Sequence, residues 1–377
     1  MTRPRIPGLR LSAADRPGVA QPVPERDIPP HPWQRMLPVV VMLTVGLTAI
    51  WEWQMRRLEL TPGDLGNNES AWAEQRRRID ISPVPVVILG DSRILFDTDL
   101  ARFEQLTGLR PVQLALAGTN GLPFLEDLAA DKYFTGLAIV GMTDVSYFRE
   151  RVGLMAKVLT RGRWESPADR ISFELHRPLA AHLAMLDNDY RFSTLVARLD
   201  PGVRSGVDGP YDDVWKVAQS FDARQTWLWP RIEHDKFLRQ HAVRGWHSFA
   251  GPVVTDAVIA TTLRRTVVAV GSIRARGGEV MFVRPPSRTD CRANEEKRLP
   301  KSRGWDVLLH TARAMGVHAD DLPALTGIDI PECSHVSRAC ATVFTDAYVR
   351  RLSELTLRLQ LRSNAPVALT TADCVGH

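Results

Sequence analysis

Between Met36 and Trp51 the chain reads MLPVVVMLTVGLTAIW, sixteen residues without a charge. Nothing else in the sequence restricts the fold so tightly, because a helix of this composition has no polar face for water and must be covered by protein or by lipid. Sixteen is short of the ~20 residues that cross a hydrocarbon core. Trp33 and Arg35 before the run, and Trp53, Arg56 and Arg57 after it, extend its reach, the rings settling at the interface and the guanidinium groups snorkelling outwards. A buried helix of a soluble domain seldom runs four turns with no charge between Trp and Arg at both ends. A cleavable secretory signal fits poorly, since 35 residues precede the run and no small-residue cleavage site follows it. Residues 36–53 are therefore expected to be an uncleaved transmembrane anchor.

The net charge of +5 is not a nucleic-acid signature: residues 1–35 hold six Arg against Asp15, Glu25 and Asp27, which leaves only +2 for the rest. No nucleic-acid partner is expected. Arg26 and Arg35 before the span against Arg56 and Arg57 after it give a modest positive-inside bias. That bias predicts a single-pass protein of the inner (cytoplasmic) membrane with a cytoplasmic N-terminus and the bulk of the chain in the periplasm or its equivalent. Cys291, Cys333, Cys340 and Cys374 are an even number, compatible with one or two disulfides in that compartment or with four buried thiols; the pairing is open. No Cys-x-x-Cys or His-x-x-x-His spacing suggests a metal, and none is expected. Residues 1–32 hold eight prolines and no aromatic residue, so residues 1–35 are expected to be an unstructured tail.

Residues 54–82 read as a juxtamembrane linker, with Gly63, Gly66, Asn67 and Asn68 as breakers, and with ESAWAEQRRR as a short helix that stands the domain off the membrane. Beyond it apolar runs alternate with helical periodicity, the pattern of an α/β domain with a parallel sheet. Strands are expected at Val86–Leu89, Val112–Leu116, Gly136–Val140 and in EVMFVRPP. Helices are expected in TDLARFEQLTG, LPFLEDLAADKY, Thr255–Arg276, SRGWDVLLHTARAMGV and Arg338–Leu361, the last with Ser337 as N-cap. Between 147 and 252 the alternation weakens, and Trp215, Trp227, Trp229 and Trp246 occur with His234, His241 and His247. That stretch reads as an insertion or lid whose rings either line a sugar groove or fill a core. Residues 362–377 read as a C-terminal tail.

The first strand, VVIL, stops abruptly at Gly90-Asp91-Ser92-Arg93. Open parallel sheets bind ligands at the carboxyl ends of their strands. Two further strand ends, AGTNG at 117–121 and GMTD at 141–144, would bring Gly118, Asn120 and Thr143 towards Ser92 if the strands are neighbours. A hydroxyl beside donors that can hold an oxyanion is what acyl transfer requires. The serine also needs a base. His335 precedes the final helix, and Glu332, three residues earlier, can fold back onto its imidazole.

In order, VVILGDSRI, LALAGTNG, AIVGMTDVSYF and an acid-x-x-His before the last helix resemble the four blocks of the SGNH (GDSL-like) hydrolase superfamily, over about residues 84–361. The resemblance implies an SGNH-hydrolase-like (flavodoxin-like) three-layer sandwich over 83–361, carrying the 147–252 insertion. It implies Ser92 as nucleophile, His335 as base and Glu332 as the acid. Gly118 and the Ser92 amide would be oxyanion donors, and Asp91 and Arg93 supporting residues. Two positions depart from the pattern: Thr143 stands where the third block has Asn, with Asn120 as a substitute donor, and Glu332 where the acid is usually Asp. An anchored SGNH domain looks like the accessory O-acyltransferases of cell-envelope polymers, such as those of alginate O-acetylation and teichoic acid D-alanylation. The implied partners are a polysaccharide acceptor and a multi-span membrane-bound O-acyltransferase, with no cofactor. The alternatives are a lipid or aryl esterase and a non-catalytic scaffold or polysaccharide-binding partner.

Overall fold

The computed structural model describes residues 32–82, 85–149, 153–197, 216–248 and 252–375. Five parallel strands form its central sheet. β1 (Val86–Leu89), β2 (Val112–Gln113) and β3 (Leu137–Gly141) come first; an antiparallel hairpin, β4 (Ala218–Ser220) with β5 (Thr226–Leu228), follows outside the sheet; β6 (Glu279–Arg284) and β7 (Met315–His318) complete it in the order β2-β1-β3-β6-β7. Because β2 lies on one side of β1 and every later strand on the other, a crevice opens at the carboxyl ends of β1 and β3.

The unbroken apolar runs of the strands follow from burial on both faces. Val87, Leu89, Val140 and Phe282 pack with the helices Leu122–Ala130 and Asp256–Ala275. Val86, Ile88, Ile139 and Val283 pack on the other face with Leu100–Thr107 and Arg338–Leu355. The second helix of that α/β run, Leu100–Thr107, starts at Asp99, whose side chain accepts the Ala101 and Arg102 N–H groups, and ends at the left-handed Gly108.

Several expected elements differ. The regular part of β2 is only Val112–Gln113; beyond it the Leu114 and Leu116 N–H groups still donate to the Ile88 and Gly90 carbonyls (2.8 and 3.0 Å), while on the outer edge the buried Arg224 guanidinium takes the carbonyls of Gln113 (2.8 Å) and Ala115 (2.7 Å). The helix expected over 302–317 ends at Ala312, where Arg313 turns left-handed, and Met315–His318 becomes a fifth strand on the edge of β6. The last helix ends at Leu355, six residues early, where Thr356 turns extended and its hydroxyl donates to Glu279 at 2.6 Å.

Residues 54–82 are not a stand-off linker. Met55, Leu60, Leu65, Trp72 and Ile79 are buried, and the Trp72 indole donates to the Leu114 carbonyl at 2.9 Å. Asn68, expected as a breaker, caps the helix Glu69–Ile81. Lys216, fully buried, lies 2.7 Å from Asp64 and 2.6 Å from Asp187, joining this segment to the residues around the hairpin. Nor are residues 362–375 a free tail: Cys374 is disulfide-bonded to Cys340, and the Val367 carbonyl accepts from Arg102 at 2.9 Å.

Within the expected insertion, the helix Gly153–Arg163 puts Met155 and Val158 into the core, and Trp227 and Trp229 are buried. Residues 150–152, 198–215 and 249–251, with Trp215, lie outside the described residues, as do the side chains of Trp246 and His247. Residues 1–31 of the expected tail lie outside them too. The helix Trp33–Arg57 is long and apolar enough to cross a membrane. The chain divides after Ile50, so that residues 51–377 form one unit.

Candidate active site

Leu89 pairs in register with Val140, and the chain beyond β1 passes between the ends of β2 and β3. Only glycine fits there. Gly90 has φ 146°, and a Cβ on it would lie 2.7 Å from the Gly141 carbonyl oxygen. At Gly141 a Cβ would lie 2.3 Å from Ile94. The close passage turns the backbone sharply into the short helix Ser92–Asp97, whose N-cap Asp91 accepts the Arg93 N–H at 3.1 Å. Ser92, first residue of that helix, remains partly exposed.

Across 243 positions of sequence, the Ser92 hydroxyl reaches His335: Oγ lies 2.8 Å from Nε2. The opposite ring nitrogen, Nδ1, lies 2.5 Å from Glu332 Oε1. Donation from Nδ1 to the carboxylate leaves Nε2 as the acceptor of the serine proton. Both His335 and Glu332 are sealed from solvent. Phe96, from the serine's own helix, stacks on the imidazole with ring centroids 4.3 Å apart.

The loop that carries Glu332 and His335 is fastened from several sides. Glu332 folds back to accept the His335 N–H at 2.9 Å and the Ser334 N–H at 3.3 Å. Cys333, held at φ 98°, is disulfide-bonded to Cys291. The Cys333 carbonyl accepts the Arg288 N–H at 3.1 Å, and Asp97 accepts the Val336 N–H at 3.1 Å. Arg93 Nε donates to Ser334 Oγ at 3.0 Å. Its other nitrogens donate to Ser287 and Glu295.

Glu295 also accepts from Arg284 at 2.5 Å, and Arg284 Nε lies 3.3 Å from Asp144. Four charges thus form one buried chain beneath the serine helix. Burial alone would raise the Glu295 pKa, but Arg93 and Arg284 outweigh it and hold the carboxyl at about 2. Asp97 is the opposite case: burial pushes it well above the ordinary carboxyl range, and Arg93 only partly offsets this. Burial likewise raises Asp144 despite Arg284.

The expected oxyanion residues are distributed unevenly. Gly118 follows the end of β2 with φ 74°, exposed, and a Cβ there would meet nothing within 4 Å. Asn120 is committed elsewhere, donating to the Arg149 carbonyl at 2.5 Å and accepting the Leu122 N–H at 3.1 Å. Thr143 stands at the end of β3 with its hydroxyl buried and without a hydrogen-bond partner among the described residues. Side-chain donation from Asn120 is thereby reduced, which leaves the Thr143 hydroxyl and the amides of Ser92 and Gly118 as candidate donors. Sequence reasoning missed Phe96, Asp97, Arg284, Ser287 and Glu295. Arg284 alone left a signal, a charge closing an apolar strand run. No known protein family, curated protein or solved structure compared with the chain matches it.

Proposed function

We propose that this chain is a membrane-anchored serine acyltransferase or esterase of SGNH-like fold, acting outside the cytoplasm on a cell-envelope or exported polysaccharide. One observation carries the reading: a partly exposed hydroxyl meets, across 243 positions of sequence, an imidazole that is itself bonded to a carboxylate three residues before it, with hydrogen bonds of 2.8 and 2.5 Å at the carboxyl end of a parallel sheet. The strand order supports the fold assignment, since counting only sheet strands it is that of flavodoxin-like sheets.

In this reading Ser92 Oγ attacks the carbonyl of an acyl donor while His335 Nε2 takes its proton. Glu332 holds the imidazole in the required tautomer and stabilises its charged form. The developing oxyanion meets the amides of Ser92 and Gly118. His335 returns the proton to the leaving group, and the acyl group rests on Ser92. A sugar hydroxyl then attacks the ester, giving its proton to His335 Nε2, which passes it to Ser92 Oγ as the bond between serine and acyl group breaks; water in place of the sugar makes the protein an esterase. A multi-span membrane-bound O-acyltransferase is the partner that would supply the acyl group.

A fluorophosphonate probe tests the serine chemistry. The wild type should be labelled and Ser92→Ala should not. A folded wild type that resists labelling makes the domain a scaffold. With an activated acetyl ester, product should form on an added oligosaccharide, and acyl-enzyme should accumulate without it; hydrolysis indifferent to sugar rejects transfer.

A further inference from the structure

The helix Trp33–Arg57 does not stop short of the domain; its last turns are built into it. Glu52 accepts the Ala184 N–H at 3.0 Å and the Met185 N–H at 2.8 Å, and Arg56 donates to the His182 carbonyl at 3.1 Å. Met55 is buried with Trp229 and Ile232.

Around this docked end large apolar side chains face outwards. The helix Pro167–Ala180 buries Phe173 and Ala180 and leaves Ile171, Leu175 and Leu179 59, 64 and 57% exposed. Spaced by four, they form one stripe. The stripe ends beside the anchor, because the Leu179 carbonyl receives the N–H of the same His182 that Arg56 holds. Phe192, 70% exposed, meets Trp51 edge-on with centroids 6.4 Å apart. Phe237, 69% exposed, precedes Leu238, which packs on the Met55 cluster. Exposed cations accompany these rings: Arg57 lies 4.8 Å from the Trp53 ring, and Arg191 and Lys236 are the chain neighbours of Phe192 and Phe237. Elsewhere on residues 51–377 exposed apolar side chains such as Leu357 and Val367 are isolated in the sequence, the neighbours Val267 and Val268 excepted.

We propose that this face rests in the headgroup region of the bilayer that the helix crosses, so that the domain lies on the lipid instead of standing away from it. The inference depends on the anchor reading above. The occupant follows from continuity of the chain: residue 51 packs in the domain and residue 50 belongs to the apolar run, so this face is tethered next to the segment that enters the bilayer. Exposed aromatic rings and cations, next to an apolar stripe, are the side chains that partition at a headgroup layer of anionic character. A chain of contacts through Pro230–His234 joins this face to the candidate site: His234 lies 3.2 Å from Glu59, and Glu233 accepts the Arg338 N–H at 2.7 Å, three residues after His335.

The test uses the full chain in phosphatidylethanolamine vesicles containing phosphatidylglycerol, with an environment-sensitive fluorophore on Leu175→Cys or on Leu357→Cys, which is at the amino end of the sheet. The label at 175 should shift to the blue and lose roughly half its intensity to a lipid-borne quencher, and the label at 357 should do neither. Chains that co-float with vesicles while the label at 175 stays aqueous overturn the inference and leave the anchor standing. Chains that fail to co-float remove the anchor and the inference together. Energy transfer between labels at 175 on different chains, without lipid quenching, assigns the face to a second copy and also overturns it.

Discussion

Glu332 is one methylene longer than the aspartate expected beside His335, and the loop absorbs the difference by turning the carboxylate back onto the backbone N–H groups of Ser334 and His335. One oxygen serves both the ring and the backbone. Glu332→Gln keeps the shape and removes the charge, so acyl turnover should fall by about 10³- to 10⁴-fold while the melting temperature scarcely moves, checked by ester kinetics beside thermal unfolding. Asp97 makes a prediction of opposite character. Its folded pKa stands above the unfolded value of about 3.9, so the folded state binds the extra proton and the wild type loses stability as pH rises from there towards the folded value. Asp97→Asn removes that dependence. Its melting temperature relative to wild type should climb with pH over this range; a difference that stays flat would show that the carboxyl is not held protonated.

Among the elements, the segment from Glu332 to His335 shows most clearly what a loop needs to act as part of a rigid site. The two disulfides close spans of 42 and 34 residues, so chain entropy assigns each about 4 kcal/mol. They differ in position. Cys291–Cys333 lies between the acid and the base, whereas Cys340–Cys374 ties the C-terminus to the last helix. Cys291→Ser with Cys333→Ser should lower both the melting temperature and turnover measured where the protein is still folded; Cys340→Ser with Cys374→Ser should lower the first and spare the second. Helix ends show how far local sequence reaches. Asp99 and Gly108 cap their helix with bonds written into adjacent residues. Ser337 occupies its N-cap position but its side chain makes no capping bond, and the exposed Arg338 N–H is satisfied by Glu233, more than a hundred residues away.

For the whole molecule, the boundary of the folding unit is the feature that local reading misplaced. The segment before β1 is charged and broken by glycine, yet it delivers Trp72 and Ile79 to one face of the sheet. Losing a buried Trp alone costs about 3–5 kcal/mol against a typical margin of 5–15. A chain beginning at residue 51 should unfold cooperatively, and one beginning at residue 83 should be insoluble or lack a cooperative transition, as calorimetry of the two truncations would reveal.

By itself the sequence determined the parallel α/β sheet, the apolar N-terminal helix and the residues Ser92, Glu332 and His335 as candidates, because strand burial, helix period and turn chemistry act over neighbouring positions. Only the tertiary structure decided that Ser92 and His335 touch, which cysteines pair, that Asn120 is committed elsewhere, and that Arg93, Glu295, Arg284 and Asp144 form one buried chain. These are meetings between segments far apart in the chain. Their partners are chosen by which strand ends become neighbours when the sheet closes.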